Sequence, residues 1–476
     1  MNTSAVSPGR AGLLLLLSGQ MLPLIDTSIT NVALDAITHT LAASATQLEL
    51  IVALYGVAFA VCLAMGSKLG DNYGRRRLFM WGVALFGIAS LLCGMANSIG
   101  ALLAARTLQG ASRAALIVPQ ILATLHVTLK GPAHARAISL YGGIGGIAFI
   151  VGQMGGGWLV SADIAGLGWR NAFFINVPIC LLVLALSRRY VPETRRETPS
   201  RIDWQGTLYL ALILCCLLFP MALGPELHWP LWLQLMLVAV LPLLFAMRQS
   251  ALRQQQRGDH PLLPPRLLQL TSIRFGMAIA LLFFSAWSGF MFCMALTMQE
   301  GLGMAPWQSG NSFIALGVAY FISALYAPRL IARYSMGRIL LTGLAVQIAG
   351  LLLLCATFSR FGVATNALTL VPATALIGYG QALIVNSFYR IGMRDISASD
   401  AGAGSAILST LQQATLGLGP AILGSLFLAL ARRGGGNYPQ ALIDFLLVEV
   451  AMMLLLGAIA LWLRHHLNRQ PATVAS

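Results

Sequence analysis

The chain has 476 residues, 58% of them hydrophobic and only 9% charged, with a mean hydropathy of +0.78. A soluble globular domain carries about 25% charged residues, so that class is excluded. Thirty Lys and Arg against fifteen Asp and Glu leave a net charge of +15, but no aromatic–basic surface element accompanies the excess and nucleic-acid binding is not expected.

Crossing the hydrocarbon core takes roughly 20 apolar residues. On that rule the sequence predicts fourteen helices: 11–34, 48–68, 77–97, 99–124, 136–160, 170–188, 204–223, 230–247, 273–298, 308–332, 336–356, 363–391, 401–430 and 438–464. The first follows Arg10 with no small-residue cleavage site after it and is read as an uncleaved span. Basic residues cluster in every second gap: Arg75, Arg76 and Arg77; Lys130 and Arg136; Arg188, Arg189, Arg195, Arg196 and Arg201. They recur at Arg248, Arg253, Arg257, Arg266 and Arg274, then Arg329, Arg333 and Arg338, Arg390 and Arg394, and Arg464 and Arg469. Basic loops stay cytoplasmic during insertion, so the alternation predicts an even number of spans with both termini inside. Arg170, Arg360, Arg432 and Arg433 fall on the other side, and Arg106 and Arg113 fall within a helix.

The longest polar connectors, 188–203 and 248–272, bracket two spans and predict three units: an N-terminal six-helix bundle over 1–200, two additional helices and a cytoplasmic linker over 201–270, and a C-terminal six-helix bundle over 271–476. A weak repeat agrees. Ser67 to Arg75, containing Asp71, Tyr73 and Gly74, resembles Pro328 to Arg338, containing Tyr334 and Gly337, with two extra residues in the second copy. Parallel repeats of this kind build one class of secondary transporter, with sites between the halves near midplane. The seven cysteines all lie in apolar stretches without metal-ligand spacing and read as small core or lipid-facing residues.

Ionisable groups at membrane depth are costly and so mark function by default. Asp26 lies in the first span at a depth similar to that of Arg106 in the fourth, and Arg113 follows Arg106 at i+7 on the same face. Burial disfavours a carboxylate charge and a neighbouring Arg favours it, so this pair suits a site whose proton affinity changes as helices rearrange; the alternative is a permanent structural ion pair. Glu449, with Asp444, lies in the last span; it is a second proton-coupling candidate, its alternative an acid facing a wet vestibule. Glycines at 142/146 and 152/156 put small residues on one face of the fifth span, for static packing or for sliding. Aromatic, Met and amide side chains (Trp287, Phe290, Met294, Gln381, Asn386, Gln412 and Gln413, with Arg113) are the candidate substrate contacts, against the reading that they face core or lipid.

Taken together, five motifs resemble those of the major facilitator superfamily, and specifically of its fourteen-helix drug:proton antiporters of the EmrB/QacA type. Asp26-Thr27 through Asn31-Val-Ala-Leu34 is similar to the first-helix motif, with Asp35 where proline is usual. Leu69-Gly-Asp71-Asn-Tyr-Gly74-Arg75-Arg76-Arg77 is similar to the loop motif after helix two, and Arg106-Thr-Leu-Gln109-Gly110 to the helix-four motif, with Arg113 where small residues are expected. Gly152-Gln153-Met-Gly155-Gly156-Gly157 resembles the antiporter motif of helix five, and Trp169-Arg170 with Phe174-Ile-Asn176-Val-Pro178 the start of helix six. The resemblance implies an all-α integral membrane fold of the major facilitator type, two six-helix bundles plus two extra helices. It implies proton-coupled export of hydrophobic or cationic drug-like compounds by alternating access. Asp26, Arg106 and Glu449 are then the proton-coupling residues. Asp71, Gly74, Arg75 and Arg76, with Gly152, Gly155 and Gly156, are the conformational motif.

No cofactor or metal is expected beyond a proton gradient as energy source. The expected partners are small substrates, protons and membrane lipids; the protein is read as a monomer in the bacterial inner membrane. An exporter of one metabolite, amino acid or siderophore is the alternative. An integral-membrane enzyme is the remote one, since the histidines are scattered and form no nucleophile–base set.

Overall fold

The computed structural model describes residues 9–194, 201–259, 261–396 and 401–467. Among these residues it is all helical, without strands. In chain order the main helices are α1 Gly9–Leu41, α2 Ala45–Tyr73, α3 Arg75–Met95, α4 over 99–128, α5 over 131–161, α6 Gly168–Tyr190, α7 Trp204–Leu223 and α8 Leu231–Gln256. Then follow α9 Thr271–Gly301, α10 over 306–334, α11 Met336–Phe361, α12 Ala367–Gly392, α13 over 401–433 and α14 Tyr438–Leu467.

By length and composition, twelve helices among the described residues can cross a membrane, where the hydropathy pattern predicts fourteen. The two that differ are α4 and α5. Arg106, Gln109, Arg113 and Gln120 dilute the apolar character of α4, and in α5 the apolar helix is the shorter stretch Ile147–Ser161. Both also contain a π turn, Arg113–Ile117 in α4 and Val151–Gly155 in α5. Such turns concentrate at functional positions.

Several ends differ from prediction for local reasons. The first helix continues past residue 34 because Thr38 and Thr40 donate to the carbonyls of Leu34 and Ala36 one turn back and add no unmet polar group. α2 begins at residue 45, not 48, under a capping box in which Ser44 accepts from the Gln47 amide and Gln47 accepts from the Ser44 amide. α8 runs to Gln256, into the predicted linker, and Asp203 stitches that linker together: it accepts from the amides of Gly206 and Leu262 and from Gln254 Nε2 at 2.7–2.9 Å.

The repeat also shifts. After Tyr73 the chain turns at Gly74 (φ 99°, ψ 127°), and after Tyr334 it turns at Ser335 (φ 78°, ψ 149°). Ser335, not Gly337, is therefore the counterpart of Gly74, and the two copies need no extra residues up to that point.

Glycines set the closest helix crossings between the segment before residue 200 and the segment beyond 270. A Cβ on Gly56 of α2 would lie 2.4 Å from the Gly417 Cα of α13, and one on Gly157 of α5 would lie 2.6 Å from the Pro306 carbonyl of α10. Two hydrogen bonds that join these segments, Glu49–Ser425 and Trp307–Ser161, lie at the end of the bundle that carries Glu300. α7 packs on both α2 and α13, while α8 beside it turns Leu231, Val238, Leu241 and Phe245 outward.

Candidate functional site: a buried carboxylate network

α1 carries Asp26, only 1% exposed, into a junction with α3, α4 and α6. One carboxylate oxygen accepts from Arg106 Nη1 at 2.6 Å. The other accepts from Asn176 Nδ2 at 2.8 Å and from Gln109 Nε2 at 3.2 Å. Gln109 also accepts from Arg106 Nη1 at 2.7 Å and donates to Ser90 Oγ at 2.8 Å. Arg106 is equally buried; its Nε donates to the Ile51 carbonyl at 3.4 Å and its guanidinium lies 4.3 Å from the Tyr55 ring centroid. Each oxygen of this buried carboxylate is met by at least one donor, and removing one partner is costly.

Helix geometry explains the convergence. Arg106 and Gln109 are i and i+3 on one face of α4. Gly110 lets that face press against α2, since a Cβ there would stand 2.2 Å from the Tyr55 carbonyl. Asn176 opens the long part of α6, and sequence reasoning had it only as part of a helix-start motif; a buried amide facing the depth of Asp26 is the signal that could have assigned it. Arg113 does not join the carboxylate. It donates to the Tyr55 hydroxyl at 3.1 Å and stacks 4.6 Å over Phe59. The π turn it begins exposes the Ala115 carbonyl, and Gln120 Nε2 caps that carbonyl and the Gly66 carbonyl at 3.2 and 2.7 Å.

At the opposite end from Glu300, Asp71 pairs with Arg75 one turn on. Arg75 also donates to Thr194, from its amide to the carbonyl (2.9 Å) and from Nη1 to Oγ1 (3.2 Å). Glu193 sits over the start of α3, accepting from the amides of Arg76 and Arg77 at 3.0 and 3.2 Å, a carboxylate at the positive end of a helix. Arg76 reaches the same carboxylate at 3.7 Å. Gly74, Arg75 and Arg76 thus meet the segment after α6, and Asp71 holds Arg75. Glu193 and Thr194 were not anticipated.

In α5, Gly152 and Gly156 face α1: added Cβ atoms would meet Ser28 Cβ at 2.5 Å and Ile29 at 2.7 Å. Gly155 faces open space and takes no part in that contact. Beyond residue 270 the candidate contacts separate. Trp287, Phe290 and Glu449, with Gln347, line a small void of about 10 Å³, room for about one water molecule. Glu449 Oε1 and Gln347 Oε1 have no hydrogen-bond partner among the described residues. Met294 is sealed in the core, Asn386 bonds back to Ala382 at 2.8 Å, and Gln412 accepts from Tyr389 at 2.6 Å. Gln381 is buried with its Nε2 unpartnered, and Gln413 is half-buried in α13. Asp444 is half-buried and accepts from Gln440 at 3.1 Å. At the Glu300 end, Asp35, His39 and Glu300 bring one ligand atom each within 4.8 Å of one another, with His39 and Glu300 exposed.

Apolar helices folded around a buried, fully bonded charge network make a multi-pass membrane transporter, and comparison with known proteins gives its family. Residues 16–420 match the Major Facilitator Superfamily, and the chain belongs to it. It is 32% identical over 420 residues to the probable actinorhodin transporter of Streptomyces coelicolor, covering 88% of this chain and 72% of that protein. It is 31% identical over 423 residues to the puromycin resistance protein pur8 of Streptomyces alboniger (87% and 80%). It is 30% identical over 414 residues to the multidrug resistance protein Stp of Mycobacterium tuberculosis (86% and 74%). The fold is shared with a D-xylose-proton symporter (TM-score 0.66, 13% identity, 94% of this chain and 96% of that chain). It is also shared with a bacterial homolog of the human lysosomal transporter Spinster in its inward-facing, unoccupied conformation (TM-score 0.64, 15% identity, 97% and 98%). The protein is therefore a non-enzymatic, multi-pass transporter of the bacterial inner membrane.

Proposed function

We propose that this chain is a proton-coupled exporter of drug-like hydrophobic or cationic compounds, with Asp26 as the coupling carboxyl. The observation that carries the reading is the Asp26 network: one buried acid draws donors from α4 and α6, so gaining or losing its proton changes how α1 is held against both. A carboxylate that is fully bonded when ionised releases Arg106, Gln109 and Asn176 when protonated, and a coupling group must make such a difference between states. Relatives named for antibiotic resistance and export supply the direction of transport and the substrate class.

In this reading α4 and α5 are also spans, for fourteen in all, because charged residues that face a bundle interior are no bar to crossing. The segments 1–200 and 271–476 are the two moving bundles, with 201–270 as the inserted pair. The Asp71 end faces the cytoplasm, since Arg75, Arg76, Arg77 and Arg188 gather there. The conformation is then the one that receives substrate from inside: Asp26 is paired and its proton has left. Asp71, through Arg75, and Glu193 tie the α2–α3 turn to the end of α6, so that this end of the 1–200 bundle moves as one piece.

The test is proton-driven efflux in everted vesicles carrying Asp26→Asn. The amide keeps the shape but not the titrating proton, so substrate-induced proton release should vanish; undiminished coupled transport would overturn the assignment.

A further inference from the structure

α2 holds a second acid, Glu49, that the prediction passed over. It is 0% exposed and sits between three helices: its own α2, α13 and the inserted α7. Ser425 Oγ of α13 lies 2.9 Å from Glu49 Oε2 and 3.1 Å from the Met221 carbonyl of α7. Glu49 Oε1 has no partner among the described residues, and a Cβ at Gly424 would reach it at 3.3 Å.

Counting protons decides how these atoms are bonded. A serine hydroxyl has one hydrogen to give and lone pairs to receive. The Met221 carbonyl needs that hydrogen. Its own helical donor would be the amide four residues on, which is Pro225, and proline has no N–H. With Ser425 donating to Met221, the 2.9 Å contact to Glu49 is a hydrogen bond only if Glu49 supplies the hydrogen. An ionised Glu49 would leave either a carboxylate or a backbone carbonyl unmet in a dry interior, which is unfavourable. The charged and titratable groups facing it do not supply a partner. Arg432 of α13 is exposed and donates to its own Leu428 carbonyl at 3.3 Å, Glu226 of the α7–α8 turn carries the same sign, and among the described residues Cys293 of α9, near enough to feel the charge of Glu49, donates no hydrogen bond to it.

We propose that Glu49 is a second proton-binding site, and that its proton completes a Glu49–Ser425–Met221 chain clamping α2, α13 and α7 together at the Glu300 end. The proton comes from and returns to the compartment at that end, because the junction opens only when α2 and α13 part there. Glu49 is then a gate sensor rather than a carrier: acid in that compartment holds the end closed, and loss of the proton leaves a carboxylate that favours the open, wet state. The clamp also gives the inserted pair a role, since α7 supplies the carbonyl that orients Ser425. The compartment's identity as the cell exterior rests on the orientation proposed above; the clamp does not.

Two measurements on the purified full chain test it, both without substrate. Infrared difference spectra between acidic and alkaline buffer should contain the carbonyl stretch of a protonated carboxyl that is lost in Glu49→Gln and kept in Glu449→Gln. Spin labels at Ala45→Cys and Arg433→Cys, both exposed, in a background with the seven native cysteines replaced, report the α2–α13 separation. The distance should lengthen on going from acid to alkali in the otherwise native chain. It should stay short at all pH in Glu49→Gln, whose amide can still donate to Ser425, and be long already in acid in Ser425→Ala. A spectrum unchanged by Glu49→Gln, or a Glu49→Gln distance that still lengthens with alkali, would overturn the proposal. Neither readout uses Asp26 or transport, so failure of the coupling role of Asp26 leaves this result intact.

Discussion

Gln109 stands between Arg106 and Asp26 as a two-way bridge, accepting from the arginine through Oε1 at 2.7 Å and donating to the aspartate through Nε2 at 3.2 Å. Its amide orientation is forced, because the end facing the guanidinium has to accept and the end facing the carboxylate has to donate. The bridge makes the acid, the base and the amide one unit, so single substitutions report on the set rather than on a pair.

Asn176 is the member of that unit with the clearest test. It is 1% exposed and supplies a 2.8 Å bond to the carboxylate from α6. A hydrogen bond to a charged group is worth about 1.5–3 kcal/mol. Asn176→Leu keeps the bulk and removes the donor, so efflux in vesicles should fall about tenfold or more, at the level of about 1.4 kcal/mol per decade, with membrane abundance unchanged. Native efflux from this variant would show that α6 does not contribute to coupling.

Arg106→Lys should behave as a severe change despite keeping the charge. The guanidinium bonds Asp26, Gln109 and the Ile51 carbonyl while covering the Tyr55 ring, and an ammonium has neither the planar fork nor the reach to do all four. Loss of transport with a lowered unfolding temperature in detergent is expected, at a stability cost of about 2–3 kcal/mol. A Lys variant with native thermal stability would mean that the network is looser than these distances imply.

The crossing of Gly56 and Gly417 offers a way to bias the conformation without touching a charge. An added methyl on Gly56 would sit 2.4 Å from a backbone carbon and one on Gly417 2.7 Å from the Val57 nitrogen, so no rotamer relieves the clash. Either Gly→Ala change must push α2 and α13 apart at the Glu300 end. Thiol labelling of a cysteine placed at Ala53, fully buried in the cluster that α2 forms with α13, should speed up about tenfold, the result of a shift of about 1.4 kcal/mol between closed and open populations. Unchanged labelling would place the rigid contact elsewhere.

What the sequence disclosed followed the range of the physics behind each signal. Asp26 and Arg106 were legible because charge at membrane depth is rare whatever the fold, and their similar depth in α1 and α4 made a contact reasonable. Glu49 was not, because its burial depends on Ser425 and Met221, far along the chain, and because α2 starts earlier than its hydropathy suggests. Asn176 and Glu193 were read as a motif and a loop; only packing shows which carboxylate or amide each one meets. The void beside Glu449 gathers Trp287 and Phe290 but not Met294, since the choice among one helix's faces is made by α11 and α14. The π turns of α4 and α5 left no mark in the apolar pattern, and they set where Arg113 and Gln153 lie.

The turn after Tyr334 carries strain that one substitution can remove. Ser335 sits at φ 78° and ψ 149°, a region that side-chain-bearing residues enter at a cost of about 1–3 kcal/mol, whereas its counterpart after Tyr73 is Gly74 at φ 99°. Ser335 accepts the same kind of break between α10 and α11 that glycine makes between α2 and α3, and no side-chain cap bond compensates it. Ser335→Gly should therefore raise stability by about 1 kcal/mol, the strain relieved less the entropy that glycine adds to the unfolded chain. Gly74→Ser should lower stability by at least as much, because a Cβ there would also press on the Glu193 carboxylate at 2.8 Å and loosen the cap on α3. Thermal unfolding of the two variants side by side checks the sign of each. A Ser335→Gly protein that melts below the parent would mean that the serine is held there by a contact worth more than the strain.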